Sequence, residues 1–162
     1  MPTIHLTTFI AAPIERVFDL SRSIDLHQIT AASSGEKAVA GVVTGLISLH
    51  ETVTWQAKHL FKQRLLTITI TAMENPLYFC DEMTKGDFKT FKHQHYFKAV
   101  QNGTILIDMV HFESPYGWLG RLFNKLYLTH YLRRFLLHRN EVIKQYAETD
   151  QWKQVLNEQV CK

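Results

Sequence analysis

Hydrophobic and polar positions alternate along most of the chain before residue 113, which is typical of half-buried β-strands. Residues 3–11 start this pattern, and six more strand-like runs follow, separated by turns that contain glycine or asparagine. Because short turns join consecutive runs, we expect an antiparallel sheet. The six runs cover residues 36–40, 47–60, 65–73, 77–84, 88–100 and 103–112.

Apolar spacing becomes helical in two places. Pro13 ends the first strand at a position favoured for the first turn of a helix, and the residues up to Ala32 predict two short helices. Later, Ser114 and Pro115 form a cap and first turn, and residues 116–146 predict one long helix with a broad apolar face. The sequence therefore predicts an α+β fold in which a curved sheet wraps around a long C-terminal helix.

Length and composition limit the classes of protein to consider. The 162 residues are 46% hydrophobic, which suits one domain over residues 1–150, with a frayed tail over 151–162. A net charge of +3 is far below that of a typical nucleic-acid binder. Cys80 and Cys161 lack the spacing of a disulfide scaffold or a metal site, which favours a reducing cytoplasm. We also expect neither a secretion signal nor a membrane span.

Three segments carry a resemblance to a known superfamily. They are TTFIAAPIERVFDLSRSIDLH near the start, GLISLHETVTWQAKHL in the middle and FCDEMTKGDFKTFKHQHYF before the last strand. With the Pro115-Tyr116-Gly117 start of the final helix, they resemble a bacterial subgroup of the polyketide cyclase/dehydrase and lipid-transport (START-like, SRPBCC) superfamily, which includes the birch-pollen allergens. The resemblance implies a seven-stranded helix-grip fold with a cavity for lipids, polyketides or other apolar molecules. It implies no single chemistry, because this superfamily contains carriers, sensors and enzymes.

Strand alternation predicts a group of ionisable side chains on the inner face of the sheet. The apolar phase of each strand should face the helix, and six polar residues share that phase. In the last strand the phase is ambiguous from the residues alone, and the resemblance favours the phase that contains Asp108. The predicted group is Glu51, His59, Asp81, His93, His95 and Asp108.

This polar group has several interpretations. It is a satisfied structural network, or it orients the polar end of a ligand. A third interpretation is acid–base catalysis, in which His95 pairs with Asp81 or Asp108. His93 and His95 also project to one side of a strand, as in a zinc site, but an HxH pair alone is a weak signal. We therefore expect no metal and no cofactor.

Aromatic and sulfur side chains at strand and helix spacing are candidates to line a cavity. The same residues would serve equally as ordinary core. The candidates are Trp55, Phe79, Met83, Phe97, Tyr127, Tyr131 and Phe135.

Two surfaces suggest partners. The late helix is basic, and a solvated helix face explains its charges better than contact with anionic lipid; the residues are Arg133, Arg134, His138, Arg139 and Lys144. The apolar outer phase of the last strand, formed by Ile105, Ile107 and Met109, suggests either a sheet edge that pairs in a homodimer or a swapped phase.

The function that these patterns favour is carriage or sensing of a hydrophobic small molecule or lipid-like ligand, without catalysis. The alternatives are a cofactor-free cyclase or dehydratase that uses a His/Asp pair, and an interaction protein whose interior is filled by its own side chains.

Overall fold

The computed structural model describes residues 3–32, 35–59, 62–113, 115 and 127–156, and omits the side chains of residues 58, 59 and 62. The strands are β1 Thr3–Ile10, β2 Lys37–Gly41, β3 Thr52–His59, β4 Lys62–Glu74, β5 Tyr78–Lys85, β6 Thr90–Val100 and β7 Gly103–Glu113. The helices are α1 Ile14–Ser21, α2 Ile24–Thr30, α3 Thr129–Glu148 and α4 Trp152–Leu156.

The strands form one antiparallel sheet, as the alternation predicts. Its order is β1-β7-β6-β5-β4-β3-β2. All strand pairs except β1 with β7 are consecutive in the chain. Strands β2 to β7 therefore form a meander, and β1 adds to its edge beside β7. The predicted α+β helix-grip architecture is confirmed.

The predicted strand over residues 47–60 begins later than expected. Residues before Thr52 form a turn in which His50 has a positive φ of 66° and Glu51 donates its backbone N–H to the Ser48 carbonyl. A residue in such a turn does not follow the two-residue period of a strand. Glu51 therefore lies before the strand, and the alternation rule does not apply to it.

The helices lie on one side of the sheet. The two short helices are confirmed: α1 buries Val17 and Phe18, and the Ser23 side chain caps α2 by accepting the Leu26 N–H at 3.2 Å. The long helix α3 packs against α1, α2 and β1. Its predicted first part, residues 116–126, lies outside the described residues.

Part of the predicted tail is helical and packed. In α4 the Val155 side chain is buried, and the guanidinium of Arg16 lies 4.4 Å from the ring centre of Trp152. This cation–π contact connects α4 to α1. The expectation of a frayed tail is therefore wrong for residues 152–156, and residues 157–162 lie outside the described part of the chain.

Strand β7 has a fully regular burial pattern. Leu106, Asp108, Val110 and Phe112 are at most 1% exposed, whereas the alternate side chains are only half-buried. The phase that contains Asp108 therefore faces inward. Because β7 lies between β1 and β6, the interpretation of its outer face as a free sheet edge is wrong; β1 and β2 form the edges.

None of the described helices is both long and apolar enough to cross a membrane.

Candidate functional site

The ionisable side chains meet where strands β5, β6 and β7 run side by side. In the register of the sheet, Asp81 lies opposite His93, and His95 lies opposite Asp108. All four side chains belong to the inward phase of their strands, so one patch of the inner face carries two carboxylates and two imidazoles. We call these four residues the His/Asp group.

Short contacts connect the His/Asp group. His95 Nε2 lies 2.7 Å from Asp81 Oδ1, and His93 Nε2 lies 2.9 Å from Asp108 Oδ1. His93 Nδ1 is 4.0 Å from Asp81 Oδ1. Each imidazole therefore has one nitrogen at a carboxylate on a neighbouring strand, which fixes both rings.

The second nitrogen of His95 lacks a hydrogen bond. Nδ1 lies 2.9 Å from Asp108 Oδ1, but the geometry is not that of a hydrogen bond, and this buried atom has no other partner in the described structure. The two imidazoles also lie against each other with ring centres 3.7 Å apart, and Phe79 stacks on His95 at 4.1 Å. The His95 ring is thus held from both sides.

Helix α3 completes the group from above the sheet. Asn140 donates from Nδ2 to Asp108 Oδ2 at 2.6 Å, and Arg139 Nη1 lies 3.6 Å from Asp108 Oδ1. Arg139 also donates from Nη2 to the Ser21 carbonyl at 2.9 Å. Arg139 is 5% and Asn140 2% exposed, so buried polar contacts connect α3 directly to β7 and α1.

The surroundings determine the protonation of three members. Burial alone would raise the pKa of Asp108, but the imidazoles of His93 and His95 hold it well below its ordinary value. Burial likewise opposes ionisation of Asp81, yet the adjacent imidazoles keep the pKa of its carboxyl below the usual range. Burial and the neighbouring His95 lower the pKa of His93. At neutral pH both carboxylates are ionised and His93 is neutral.

A neutral His93 has one proton and one lone pair on its ring. Since Nε2 faces the ionised Asp108, the proton belongs on Nε2 and the lone pair on Nδ1, on the side of Asp81. Two carboxylates then face one guanidinium, Arg139, so the group has an excess of negative charge before His95 is counted. A cation or a hydrogen-bond donor would be stabilised beside Asp81.

Not every predicted polar residue joins the group. Glu51 is exposed, and its carboxylate accepts the backbone N–H of Ser48 at 2.8 Å, so the prediction that it faces inward is wrong. The side chain of His59 lies outside the described part of the structure. The structure therefore brings together Asp81, His93, His95 and Asp108.

The predicted lining residues fall into three classes of exposure. Trp55, Phe79 and Phe97 are buried in the main apolar core, where Phe18 of α1 makes edge-on contacts with Phe79 and Phe97. Half-buried positions are occupied by Met83, Tyr131 and Phe135. Tyr127 is 60% exposed.

His27 of α2 lies among aromatic side chains away from the His/Asp group. Its ring lies 4.2 Å from Trp55 on β3 and 6.0 Å from Phe135 on α3, and its Nε2 is 3.6 Å from Glu36. Sequence analysis did not single out His27, because a lone histidine in a short helix carries no pattern. The His27 ring therefore lies beside aromatic side chains of both β3 and α3.

Arg139 and Asn140 are the other residues that sequence analysis missed. The prediction of a solvated helix face is wrong for Arg139, which is 5% exposed, and Asn140 beside it is equally buried. The signal was available: both lie three or four residues from Leu136 and from Ile143, so they share the apolar stripe of the helix. A buried arginine on such a stripe indicates a carboxylate on the surface that it faces.

Two surface depressions of the described residues lie away from the His/Asp group. One, of about 430 Å³, is lined by Ala11 to Glu15 and the β6–β7 turn. The other, of about 320 Å³, is lined by outward residues such as Glu82 and Lys92 together with Met83 and Phe91 of the inner face. Neither contains a member of the predicted polar group.

The arrangement has one feature of a metal centre. Asp81, His93 and His95 each offer a ligand atom, and these three atoms lie within 4.8 Å of one another. His93 and His95 are buried, and Asp81 retains 16% of its side-chain exposure.

Solved structures of other proteins share the architecture. TTHA0849 from Thermus thermophilus is 20% identical with a TM-score of 0.65, over 88% of this chain and 97% of that one. A START superfamily protein from Mycobacterium smegmatis is 13% identical with a TM-score of 0.65, over 90% and 97%. Major latex-like protein 151 from Panax ginseng is 14% identical with a TM-score of 0.62, over 91% and 98%.

These similarities establish the fold: the chain has the START-like helix-grip fold that its sequence motifs resemble. No protein-family model matches the sequence, and a comparison with curated proteins finds no match. Function has to be argued from the site.

Proposed function

We propose that this protein binds a small, largely apolar molecule between the inner face of the sheet and helix α3, and that the His/Asp group orients its polar end. The observation that carries this proposal is the position of the group. Four ionisable residues occupy the inner face of a sheet whose other inward residues are mostly apolar, and one of them, Asp81, stays 16% exposed. Convergent polar groups in apolar surroundings are typical of ligand sites.

The half-buried apolar side chains support the same location. Met83 and Phe91 on the inner face pack only partly into the core, and Tyr131 and Phe135 on α3 are likewise half-buried. Covering such surfaces with an apolar ligand contributes about 25 cal/mol per Å² removed from water. Affinity would come from these side chains, and pose from hydrogen bonds to Asp81.

The helix-grip fold adds a further argument. The structural relatives include a START superfamily protein, and we infer by analogy that this chain uses the space between sheet and helix in the manner that its sequence motifs imply. Carriage and sensing both require only reversible binding. Neither requires the His/Asp group to react.

Native mass spectrometry of gently purified protein is the first test. A bound molecule should appear as a 1:1 mass increment, and solvent extraction should release it for identification. If the protein shows only the mass of the chain, binding is tested with an added probe, 8-anilinonaphthalene-1-sulfonate. The fluorescence of this probe rises in apolar surroundings.

Two alanine variants on α3 show where the probe binds. Phe135→Ala should weaken the binding of 8-anilinonaphthalene-1-sulfonate by roughly tenfold, because a buried aromatic contact is worth about 1.5–3 kcal/mol. Leu137→Ala is the matched control, since Leu137 is 49% exposed two residues further along. Equal affinities in both variants, or no saturable binding by the wild type, would contradict the proposed site.

A further inference from the structure

We propose that Asp81, His93 and His95 form a binding site for a divalent transition-metal ion, with a ligand set of two imidazole nitrogens and one carboxylate oxygen. The inference goes beyond the binding of an apolar molecule and does not depend on it. It rests on the convergence of three ligand atoms within 4.8 Å and on the contacts behind the two rings.

The ring nitrogens divide into a front and a back set. His95 Nε2 and His93 Nδ1 lie 2.7 and 4.0 Å from the same oxygen, Asp81 Oδ1. Their opposite nitrogens, His95 Nδ1 and His93 Nε2, each lie 2.9 Å from Asp108 Oδ1. A metal-ligating histidine commonly donates its other N–H to a carboxylate, and here one carboxylate serves both rings.

A metal would also satisfy the unpaired atom in the group. If the His95 Nε2–H donates to Asp81, Nδ1 is left with a lone pair against the Asp108 carboxylate, and it lacks a hydrogen bond. A metal on Nε2 moves the proton to Nδ1, from which it donates to Asp108 after a small ring rotation.

Metal binding requires the three ligand atoms, which lie within 4.8 Å of one another, to adjust their separations, including that between the two imidazole nitrogens. Ligand atoms of a tetrahedral zinc site lie about 3.3 Å apart, which follows from bonds of ~2.0–2.1 Å. The gap of 2.7 Å between His95 and Asp81 has to widen and the gap of 4.0 Å between His93 and Asp81 has to narrow. Rotation of the Asp81 side chain, the most exposed of the three, changes both distances together.

Behind the rings, the supporting carboxylate is itself fixed. Asp108 is 0% exposed, and Asn140 and Arg139 of α3 hold its two oxygens. Three protein ligands leave at least one coordination position open, as in sites where a metal binds water or a substrate oxygen. Asp81 is the exposed member, so we place that open position towards the interior space.

The test uses the full chain without a polyhistidine tag, treated with chelator and then freed of it. Titration with ZnCl₂ in a calorimeter should give one saturable site per chain, with no organic ligand added. Titration with CoCl₂ should give visible absorption bands of tetrahedral or five-coordinate Co²⁺. If the protein bound no apolar probe, the Zn²⁺ isotherm and the Co²⁺ bands should still appear. The metal site and the apolar-ligand site are therefore tested independently.

Variants then locate the site. Asp81→Asn and His95→Gln should each abolish the 1:1 Zn²⁺ isotherm and the Co²⁺ bands, whereas Asp108→Asn should keep the stoichiometry and weaken Zn²⁺ binding by roughly 10- to 100-fold. The matched controls are Glu82→Gln, the outward neighbour of Asp81, and His138→Gln on the exposed face of α3. Both controls should bind Zn²⁺ like the wild type.

Circular dichroism in the presence of chelator shows whether each variant is folded. If a variant is unfolded, the metal titrations of the wild-type protein decide the proposal. Absence of a stoichiometric Zn²⁺ or Co²⁺ site in wild-type protein overturns the proposal. Wild-type affinity in folded Asp81→Asn and His95→Gln also overturns it, because the ion would then bind at other histidines.

Discussion

The two halves of the inner sheet face bury their side chains in different ways. Strands β3 and β4 contribute Val53, Ile68 and Ile70, which are buried by apolar packing and need no polar partner. Strands β5 to β7 contribute the His/Asp group, whose charges are buried only because β-strands and α3 each supply a partner. The first half tolerates any apolar shape that fits, and the second tolerates only a matched set of donors and acceptors.

This difference explains why α3 crosses the sheet in one fixed position. Arg139 reaches the Ser21 carbonyl of α1, and Asn140 reaches both Asp108 on β7 and the Thr8 hydroxyl on β1. Apolar packing alone would leave α3 several comparable positions on the sheet. The polar contacts select one of them.

Removing the central charge should have the largest effect on stability. We expect Asp108→Ala to lower the free energy of unfolding by about 3–5 kcal/mol, because it leaves buried Arg139 without its carboxylate. Urea unfolding followed by circular dichroism measures the change. The control is Asp87→Ala, which breaks an exposed ion pair with Arg64 and should cost at most about 1 kcal/mol. Similar losses of unfolding free energy in the two variants would show that the buried Asp108 stabilises the fold no more than an exposed ion pair does.

Keeping the charge of Arg139 but changing its shape should have an intermediate effect. Arg139→Lys should cost about 2 kcal/mol, since an ammonium group cannot reach Ser21 O and Asn140 Oδ1 together. The same unfolding experiment on Arg134→Lys, an exposed position about one turn earlier, should show almost no change. If Arg139→Lys were equally neutral, charge and not the shared hydrogen bonds would hold α3.

Trimming the apolar half should have the smallest effect. Ile68→Val should cost about 1 kcal/mol, the usual result of removing one buried methyl group. The same substitution at Ile29, which is 47% exposed, should cost less than about 0.5 kcal/mol. A loss at Ile68 as large as that of Asp108→Ala would remove the distinction between the two halves.

The sheet and most of the polar group could be predicted from the sequence. Alternation places Asp81, His93 and His95 on the inner phase of strands that are well bounded by turns. The same rule is wrong for Glu51, because the residues before Thr52 form a turn and lose the two-residue period. For β7 the residues alone leave two phases open, and only the resemblance selects Asp108.

The contribution of α3 could be predicted only in part. Helical spacing identifies Leu136 and Ile143 as buried, and the same spacing includes Arg139 and Asn140. A charged residue on a helix is usually solvated, so its burial becomes evident only once a carboxylate is known to lie beneath it. The separation of the candidate ligand atoms is likewise out of reach of the sequence, because an HxH pair fixes no distance to Asp81 on the neighbouring strand.

The pairing of β1 with β7 has a consequence for synthesis on the ribosome. Thr3 lies beside His111, 108 residues later, so the first strand stays unpaired until almost the whole sheet has been translated. At about 5–20 residues per second this delay lasts on the order of 5–20 s. During that interval Ile4, Leu6 and Ile10, all buried in the native protein, lack the β7 partner that completes their strand pairing.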